Sequence, residues 1–141
     1  MSGLAEMLIE LAGGGQGSIR DIEHELALAQ RASSHTHRGH INWARHFPWL
    51  KRRLSDLQSH RCCWCGKRMT DDGPRDDRPT FEHIVPLSKG GADSPDNLAI
   101  ACCGCNQRRG DGEPSPAQVR PPLSILRQAK PMGAAGSASP A

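Results

Sequence analysis

The feature that most constrains this chain is a pair of CxxC repeats, at residues 62–65 and 102–105. The two-residue spacing lets both thiolates of one tight turn reach a single tetrahedral zinc ion at about 2.3 Å. Two such turns fill all four positions and leave no place for water, so this zinc is predicted to be structural. If Cys63 or Cys103 replaced a neighbouring cysteine as ligand, the two-residue spacing would be lost. We therefore predict that these two are small half-buried residues rather than ligands. The predicted zinc ligands are Cys62, Cys65, Cys102 and Cys105.

The length and composition of the chain agree with a metal-stapled fold. A chain of 141 residues with two Phe, three Trp and no Tyr has a modest core, and small cores commonly need a staple. Its start does not resemble a signal peptide, and no stretch approaches the roughly 20 apolar residues of a membrane span. We therefore expect a cytoplasmic protein with no membrane partner. In that reducing compartment, clustered cysteines bind metal more often than they form disulfides.

Charge is distributed unevenly along the sequence. Residues 1–34 carry five acidic and two basic side chains, whereas residues 35–70 carry eight basic and one acidic side chain. A dense basic stretch favours a polyanion such as nucleic acid, and the alternative is an ordinary solvated surface. The predicted nucleic-acid contacts, which suit phosphates rather than base edges, are Lys51, Arg52, Arg53, Arg108 and Arg109.

Sequence patterns divide the chain into three predicted units. These are a helical N-terminal region with a basic third helix (1–60), a cysteine-bearing domain (61–111) and a tail (112–141). Nineteen of the thirty tail residues are Pro, Gly, Ser or Ala, so the tail is predicted to be mostly disordered. Leu123, Ile125 and Leu126 could still dock on the domain or form a short helix.

Local signals predict where the N-terminal helices begin. Ser18 is a plausible N-cap with Asp21 three residues later, and Pro48 suits the first position of a third helix. His35, His37 and His40 lie in a Ser-, Thr- and Gly-containing segment between these helices. That context favours an incidental cluster in a mobile loop over a metal site.

The segment between the cysteine pairs has the pattern strand, loop, strand, helix. Residues 80–85 suit a short strand, Gly90 and Gly91 mark a long loop, and residues 98–101 suit a returning strand. A short helix is predicted to begin near Cys105. The predicted fold class is therefore a small α+β domain preceded by α-helices.

The motifs CxxCG, EHIVPLSKGG and NLAIACCGCNQRRG follow one another within residues 61–111. Their order, spacing and glycines resemble the HNH endonucleases of the four-cysteine, ββα-metal type. The resemblance implies a ββα-metal core stapled by the four-cysteine zinc site. It also implies a hydrolase that cleaves phosphodiester bonds in DNA.

The same resemblance implies a role for each matching residue. His83 is the general base, and Asn97 helps to hold the loop and orient that base. Glu82 and Asn106 bind the catalytic divalent metal, which makes this chain a His-Asn-Asn variant with Glu where Asp is also common. The implied cofactors are a structural Zn²⁺ and a catalytic Mg²⁺ or Mn²⁺, with Ni²⁺ as a further option.

The residue types support these roles independently. A neutral imidazole can accept a proton from water near neutral pH, and carboxylate and amide oxygens are hard ligands suited to Mg²⁺ or Mn²⁺. One geometric condition follows, because neighbouring residues on a strand point to opposite faces. Glu82 and His83 can serve one phosphate only if the strand ends, bulges or twists there.

Two other functions stay open at this point. One is a non-catalytic zinc module or degenerate nuclease that binds nucleic acid through the basic stretch. The other is a zinc-bearing adaptor that recruits a protein through residues 1–34. The Glu82–His83 pair and Asn106 favour the nuclease. DNA is the expected partner, and the N-terminal helices leave room for a homodimer or a partner protein.

Overall fold

A computed structural model of the chain describes residues 3–13, 18–34, 39–109 and 120–129. Within these ranges, no helix has the length and apolar character needed to cross a membrane. The helices and strands, in chain order, are α1 (Gly3–Ala12), α2 (Ile19–Ser33), α3 (Trp43–His46), α4 (Pro48–Leu57), β1 (Pro79–His83), β2 (Leu98–Cys102), α5 (Cys103–Arg109) and α6 (Pro122–Ala129).

The N-terminal helices begin where their capping signals lie. The Ser18 hydroxyl accepts a hydrogen bond from the Asp21 backbone N–H at 3.1 Å, and the Asp21 carboxylate accepts one from the Ser18 N–H at 3.3 Å. This capping box satisfies two backbone donors at the start of α2. Pro48 begins a helix as predicted, but that helix is the fourth, because the four-residue α3 precedes it. His35 and His37 lie outside the described residues.

The two strands and the helix after them form the ββα unit. β1 and β2 pair antiparallel, in register from Pro79 opposite Cys102 to His83 opposite Leu98. α5 follows β2 without an intervening loop. All five residues of β2 are buried. The small α+β fold class predicted from the sequence is confirmed.

The edge of β2 that faces away from β1 is covered by Gln58, which follows the last turn of α4. The Gln58 side-chain oxygen accepts a hydrogen bond from the Ile100 N–H, and its amide nitrogen donates to the Ile100 carbonyl, both at 2.8 Å. The Cys63 N–H donates to the same carbonyl at 3.0 Å. A side-chain amide thus takes the place of a third strand and ties α4 to the sheet.

One hydrophobic core joins the N-terminal helices to the ββα unit. Leu8, Leu26 and Leu50 from the helices belong to the same buried cluster as Leu98 and Ile100 of β2. Segments on both sides of residue 60 therefore depend on each other's apolar surface. The sequence-based boundaries near residues 60 and 111 stay predictions of domain organisation.

Part of the tail adds to this core. α6 packs with Leu123 fully buried, and Arg127 forms an ion pair with Glu10 of α1 at 3.1 Å. This part of the tail therefore forms a short helix and docks on the rest of the chain, as the apolar residues around Leu123 suggested. The other tail residues, 112–119 and 130–141, lie outside the described ranges.

The burial of Leu123 yields a stability prediction. We expect Leu123→Ala to lower the free energy of unfolding by about 2–5 kcal/mol, because it leaves a cavity beneath α6. Ile125→Ala on the same helix is the matched control, since Ile125 is only partly buried and lies outside the buried cluster. Denaturant unfolding of both variants measures the difference. Similarly small losses in the two variants would mean that Leu123 does not contribute to the core.

Candidate active site and metal centre

Four cysteine side chains converge at the junction of β2 and α5. The Sγ atoms of Cys62, Cys65, Cys102 and Cys105 all lie within 4.8 Å of one another. Sulfur atoms bound to one tetrahedral zinc at about 2.3 Å stand roughly 3.8 Å apart, so this cluster has the donor type, number and spacing of a structural zinc site. It can hold a metal ion such as zinc.

Backbone hydrogen bonds hold the thiols in this arrangement. The Cys62 N–H donates to the Lys67 carbonyl at 2.9 Å, and Gly66 turns the chain between them with a φ of +79°. A positive φ of this size favours glycine. The Trp64 N–H points at Cys62 Sγ from 3.3 Å, and the Cys105 N–H points at Cys102 Sγ from 3.4 Å. Such N–H donors stabilise negative charge on sulfur.

The acidity of these thiols differs with their surroundings. Burial raises the pKa of Cys105 to about 12 and also raises that of Cys102. A hydrogen bond from the Cys63 thiol lowers the pKa of Cys62 and correspondingly raises that of Cys63. Cys63 therefore affects the acidity of a predicted ligand, an effect that its spacing did not indicate.

The Glu82 carboxylate is held from two sides. Its Oε2 accepts hydrogen bonds from Trp64 Nε1 at 2.9 Å and from Arg109 Nη1 at 2.8 Å. The Arg109 guanidinium also lies 4.2 Å from the centre of the Trp64 ring, and its Nη2 donates to the Ile84 carbonyl at 2.7 Å. The Glu82 and Arg109 side chains are each only 9% exposed. Among the described residues, no donor reaches Glu82 Oε1.

His83 is the last residue of β1, which meets the condition that the strand must end for Glu82 and His83 to share a site. Its Nε2 lies 2.9 Å from Oδ1 of Asp93, in the loop that leads to β2. Sequence reasoning did not single out Asp93 or Trp64. The sequence feature that could have identified Asp93 is its position: it is an acidic residue in the loop that starts next to His83 and returns to pair with it.

Asn106 and Asn97 have different surroundings. Asn106 Nδ2 donates to Thr80 Oγ1 at 2.9 Å and to the Phe81 carbonyl at 3.0 Å, which fixes the amide on the face of β1 that α5 covers. Asn97 instead binds the loop backbone: its Oδ1 accepts from the Val85 N–H at 3.0 Å, and its Nδ2 donates to the Val85 carbonyl at 2.9 Å.

The loop closed by Asn97 is too tight for a side chain at Gly91. A Cβ there would lie 1.9 Å from the Val85 carbonyl oxygen. Asn97 therefore holds the loop that carries Asp93, and Asp93 is the residue that contacts His83.

One groove brings together five of the predicted site residues. It has a volume of about 1200 Å³ and lies between the ββα unit and the segment around α3. Its ββα wall carries Glu82, His83, Asn106 and Arg109, whereas its N-terminal wall includes His40, Trp43 and Lys51.

The predicted phosphate contacts occupy several environments. Lys51 lines the groove, with its Nζ 3.5 Å from the Pro79 carbonyl oxygen. Arg52 and Arg108 are exposed. Arg53 donates from Nε to the Leu11 carbonyl at 2.8 Å, and the partly buried Arg109 faces the groove beside Glu82. The phosphate-binding role of all five stays a prediction.

Residues 62–112 match the family model described as HNH endonuclease. This segment is an HNH domain. The match includes both cysteine pairs, both strands, α5 and the loop between the strands. The N-terminal wall of the groove, which includes Trp43 and Lys51, lies outside the HNH segment. No curated protein and no solved structure shows a significant match to the chain.

The cysteine cluster predicts one zinc ion per chain. We expect Cys102→Ser to lose the metal and to unfold the region from residue 62 to residue 109, because folding of small zinc sites is coupled to metal binding. Cys103→Ser is the matched control, since it removes a neighbouring thiol that is not in the cluster. Elemental analysis and circular dichroism measure the two effects. Folded wild-type protein without zinc would contradict the prediction.

Proposed function

We propose that this protein is a metal-dependent endonuclease that hydrolyses phosphodiester bonds in DNA. The observation that carries the proposal is that Glu82, His83 and Asn106 line one groove within an HNH segment. His83 is the general base that removes a proton from water, and Glu82 and Asn106 are ligands of a divalent ion. Lys51 adds a positive charge on the opposite wall of the groove, where it suits a contact with the phosphate backbone of DNA.

The donor set around Glu82 fits a hard divalent cation. Two oxygens, Glu82 Oε1 and Asn106 Oδ1, accept no hydrogen bond from the described residues, and both side chains line the groove. Mg²⁺ prefers oxygen ligands and commonly takes only one or two from the protein, with water and phosphate completing its shell. When bound, such an ion stabilises negative charge on the phosphate and on the departing oxygen.

Arg109 sets the charge and position of the Glu82 carboxylate. Its guanidinium donates to Oε2 and offsets the negative charge of the carboxylate, and Trp64 fixes the same oxygen. The proposed ligand set therefore has little net negative charge without DNA. We expect divalent ions to bind weakly to the free protein and more tightly once phosphate oxygens enter the groove.

The first test separates the general base from the metal ligands. His83→Ala should slow plasmid nicking by about 100- to 10,000-fold, which is the usual contribution of a general base, without weakening the binding of metal or DNA. Glu82→Gln and Asn106→Ala should instead need more Mg²⁺ or Mn²⁺ and should recover part of their activity at high concentration. Asn106→His should stay active, with a shift toward Ni²⁺ or Zn²⁺, because imidazole suits those ions.

His24→Ala is the matched control, because His24 is an exposed histidine on α2 that does not line the groove. The measurement is nicking rate against metal concentration, with zinc content determined in parallel. Wild-type rates in His83→Ala would contradict the proposed mechanism. DNA binding without cleavage in the wild-type protein would favour a non-catalytic zinc module.

The second test asks whether DNA contacts the basic residues Lys51 and Arg52. On duplex DNA, the slope of log affinity against log salt is about −0.9 per phosphate contacted, so Lys51→Ala combined with Arg52→Ala should flatten it by roughly 1 to 2 units. Arg20→Ala, an exposed site on α2, is the control and should leave the slope unchanged. An unchanged slope in the double variant would place the DNA elsewhere.

A further inference from the structure

The carboxylate of Asp93 collects three hydrogen-bond donors on its two oxygens. Oδ1 lies 2.9 Å from His83 Nε2 and accepts from Trp43 Nε1 at 2.7 Å. Oδ2 accepts from the Ile41 backbone N–H at 2.7 Å. The His83 and Asp93 side chains are only 20% and 22% exposed. This arrangement is more specific than a surface ion pair, since each carboxylate oxygen has a fixed partner.

The surroundings keep Asp93 ionised. Burial raises the pKa of its carboxyl, but the hydrogen bonds from His83, Trp43 and the Ile41 backbone outweigh that effect, so the net pKa lies below the ordinary value. An ionised carboxylate can only accept hydrogen bonds. The nitrogen of His83 that faces it must therefore carry the hydrogen.

We propose that Asp93 is a positioning residue that holds His83 as the Nε2–H tautomer, with Nδ1 free to accept the proton of the attacking water. A neutral imidazole carries one N–H, so fixing it on Nε2 leaves the lone pair on Nδ1. The proton from water then goes to Nδ1, and the nearby carboxylate compensates the positive charge of the imidazolium. This inference rests on the proposed function of His83.

Two of the three hydrogen-bond donors to Asp93 lie outside the HNH segment. Ile41 and Trp43 both precede residue 62, and Trp43 is only 3% exposed, with its ring 5.6 Å from that of Phe47. A rigid aromatic residue in the core thus donates to the carboxylate that orients the base. The N-terminal region completes the active site as well as the core.

The tautomer can be measured without any nuclease activity. Long-range ¹H–¹⁵N spectra of the full-length protein at about pH 8, above the ordinary imidazole pKa of about 6.5, report which ring nitrogen carries the hydrogen. The His83 signals are identified by their loss in His83→Ala. We expect the Nε2–H form in the wild-type protein and in Asp96→Asn, and a mixed population in Asp93→Asn. An Nδ1–H tautomer in the wild-type protein would overturn the proposal, whether or not any variant folds.

A kinetic cycle tests the consequence for catalysis. Asp93→Asn should lower kcat by about 10- to 100-fold, by analogy with the loss of partners that orient metal-bound imidazoles, with little change in KM. The control is Asp96→Asn, which removes the same charge from the same loop and whose side chain contacts Ser94 instead. In a His83→Ala background, Asp93→Asn should have no further effect, because it acts through His83.

The outcomes distinguish this proposal from the proposed function. If the wild-type protein cleaves DNA and Asp93→Asn slows cleavage by the same factor with and without His83, Asp93 has only a structural role. If His83→Ala cleaves at the wild-type rate, the proposed base is wrong even where the tautomer is as expected. Trp43→Phe is a second test of the same role, because it removes one hydrogen-bond donor to Asp93. It should lower kcat by a smaller factor than Asp93→Asn does, and only when His83 is present.

Discussion

The convergence of four thiols on one point is the constraint on which the rest of the structure depends. Negative charge on sulfur atoms this close together is stabilised by a cation among them, so the cluster favours a bound metal ion. The turn that carries Cys62 and Cys65 also carries Trp64, which donates to Glu82, and the helix that carries Cys105 also carries Arg109, which contacts the same carboxylate. The cysteine cluster and the groove are therefore joined by hydrogen bonds and by the stacking of Arg109 on Trp64. A disturbance of the cluster is expected to move Glu82.

The parts of the fold that could be predicted from sequence are those set by local signals. The capping box at Ser18, the turn residues between the strands and the CxxC spacing each act over a few residues, so they are visible without the structure. The segments 80–85 and 98–101, which the sequence indicated as strands, lie within a few residues of the observed ends of both strands. The metal-ligand roles of Glu82 and Asn106 come from the family resemblance and stay predictions. Their place in one groove depends on the packing of the N-terminal segment against the ββα unit.

What could not be predicted depends on contacts between distant residues. Asp93 and Asp96 occupy the same loop, and only the folded chain shows that Asp93 reaches His83 while Asp96 contacts Ser94. Arg109 sits in a run of basic residues that suggests a phosphate contact, yet its guanidinium is largely enclosed beside Glu82. Leu123 lies in a segment whose composition indicates disorder, and its burial follows from an apolar surface that helices far away in the sequence provide. Each of these features depends on tertiary packing, which overrides local composition.

The amide of Gln58 has a consequence for association between copies of this chain. A two-stranded sheet normally presents a free edge on each side, and a free edge can recruit a strand from another molecule. Here the middle of the β2 edge already has its donor and acceptor satisfied from within the chain. Growth of the sheet on that side would require Gln58 to leave, at the cost of breaking two hydrogen bonds. Assembly of copies of this chain through continuous β-pairing is thus disfavoured on the β2 side of the sheet.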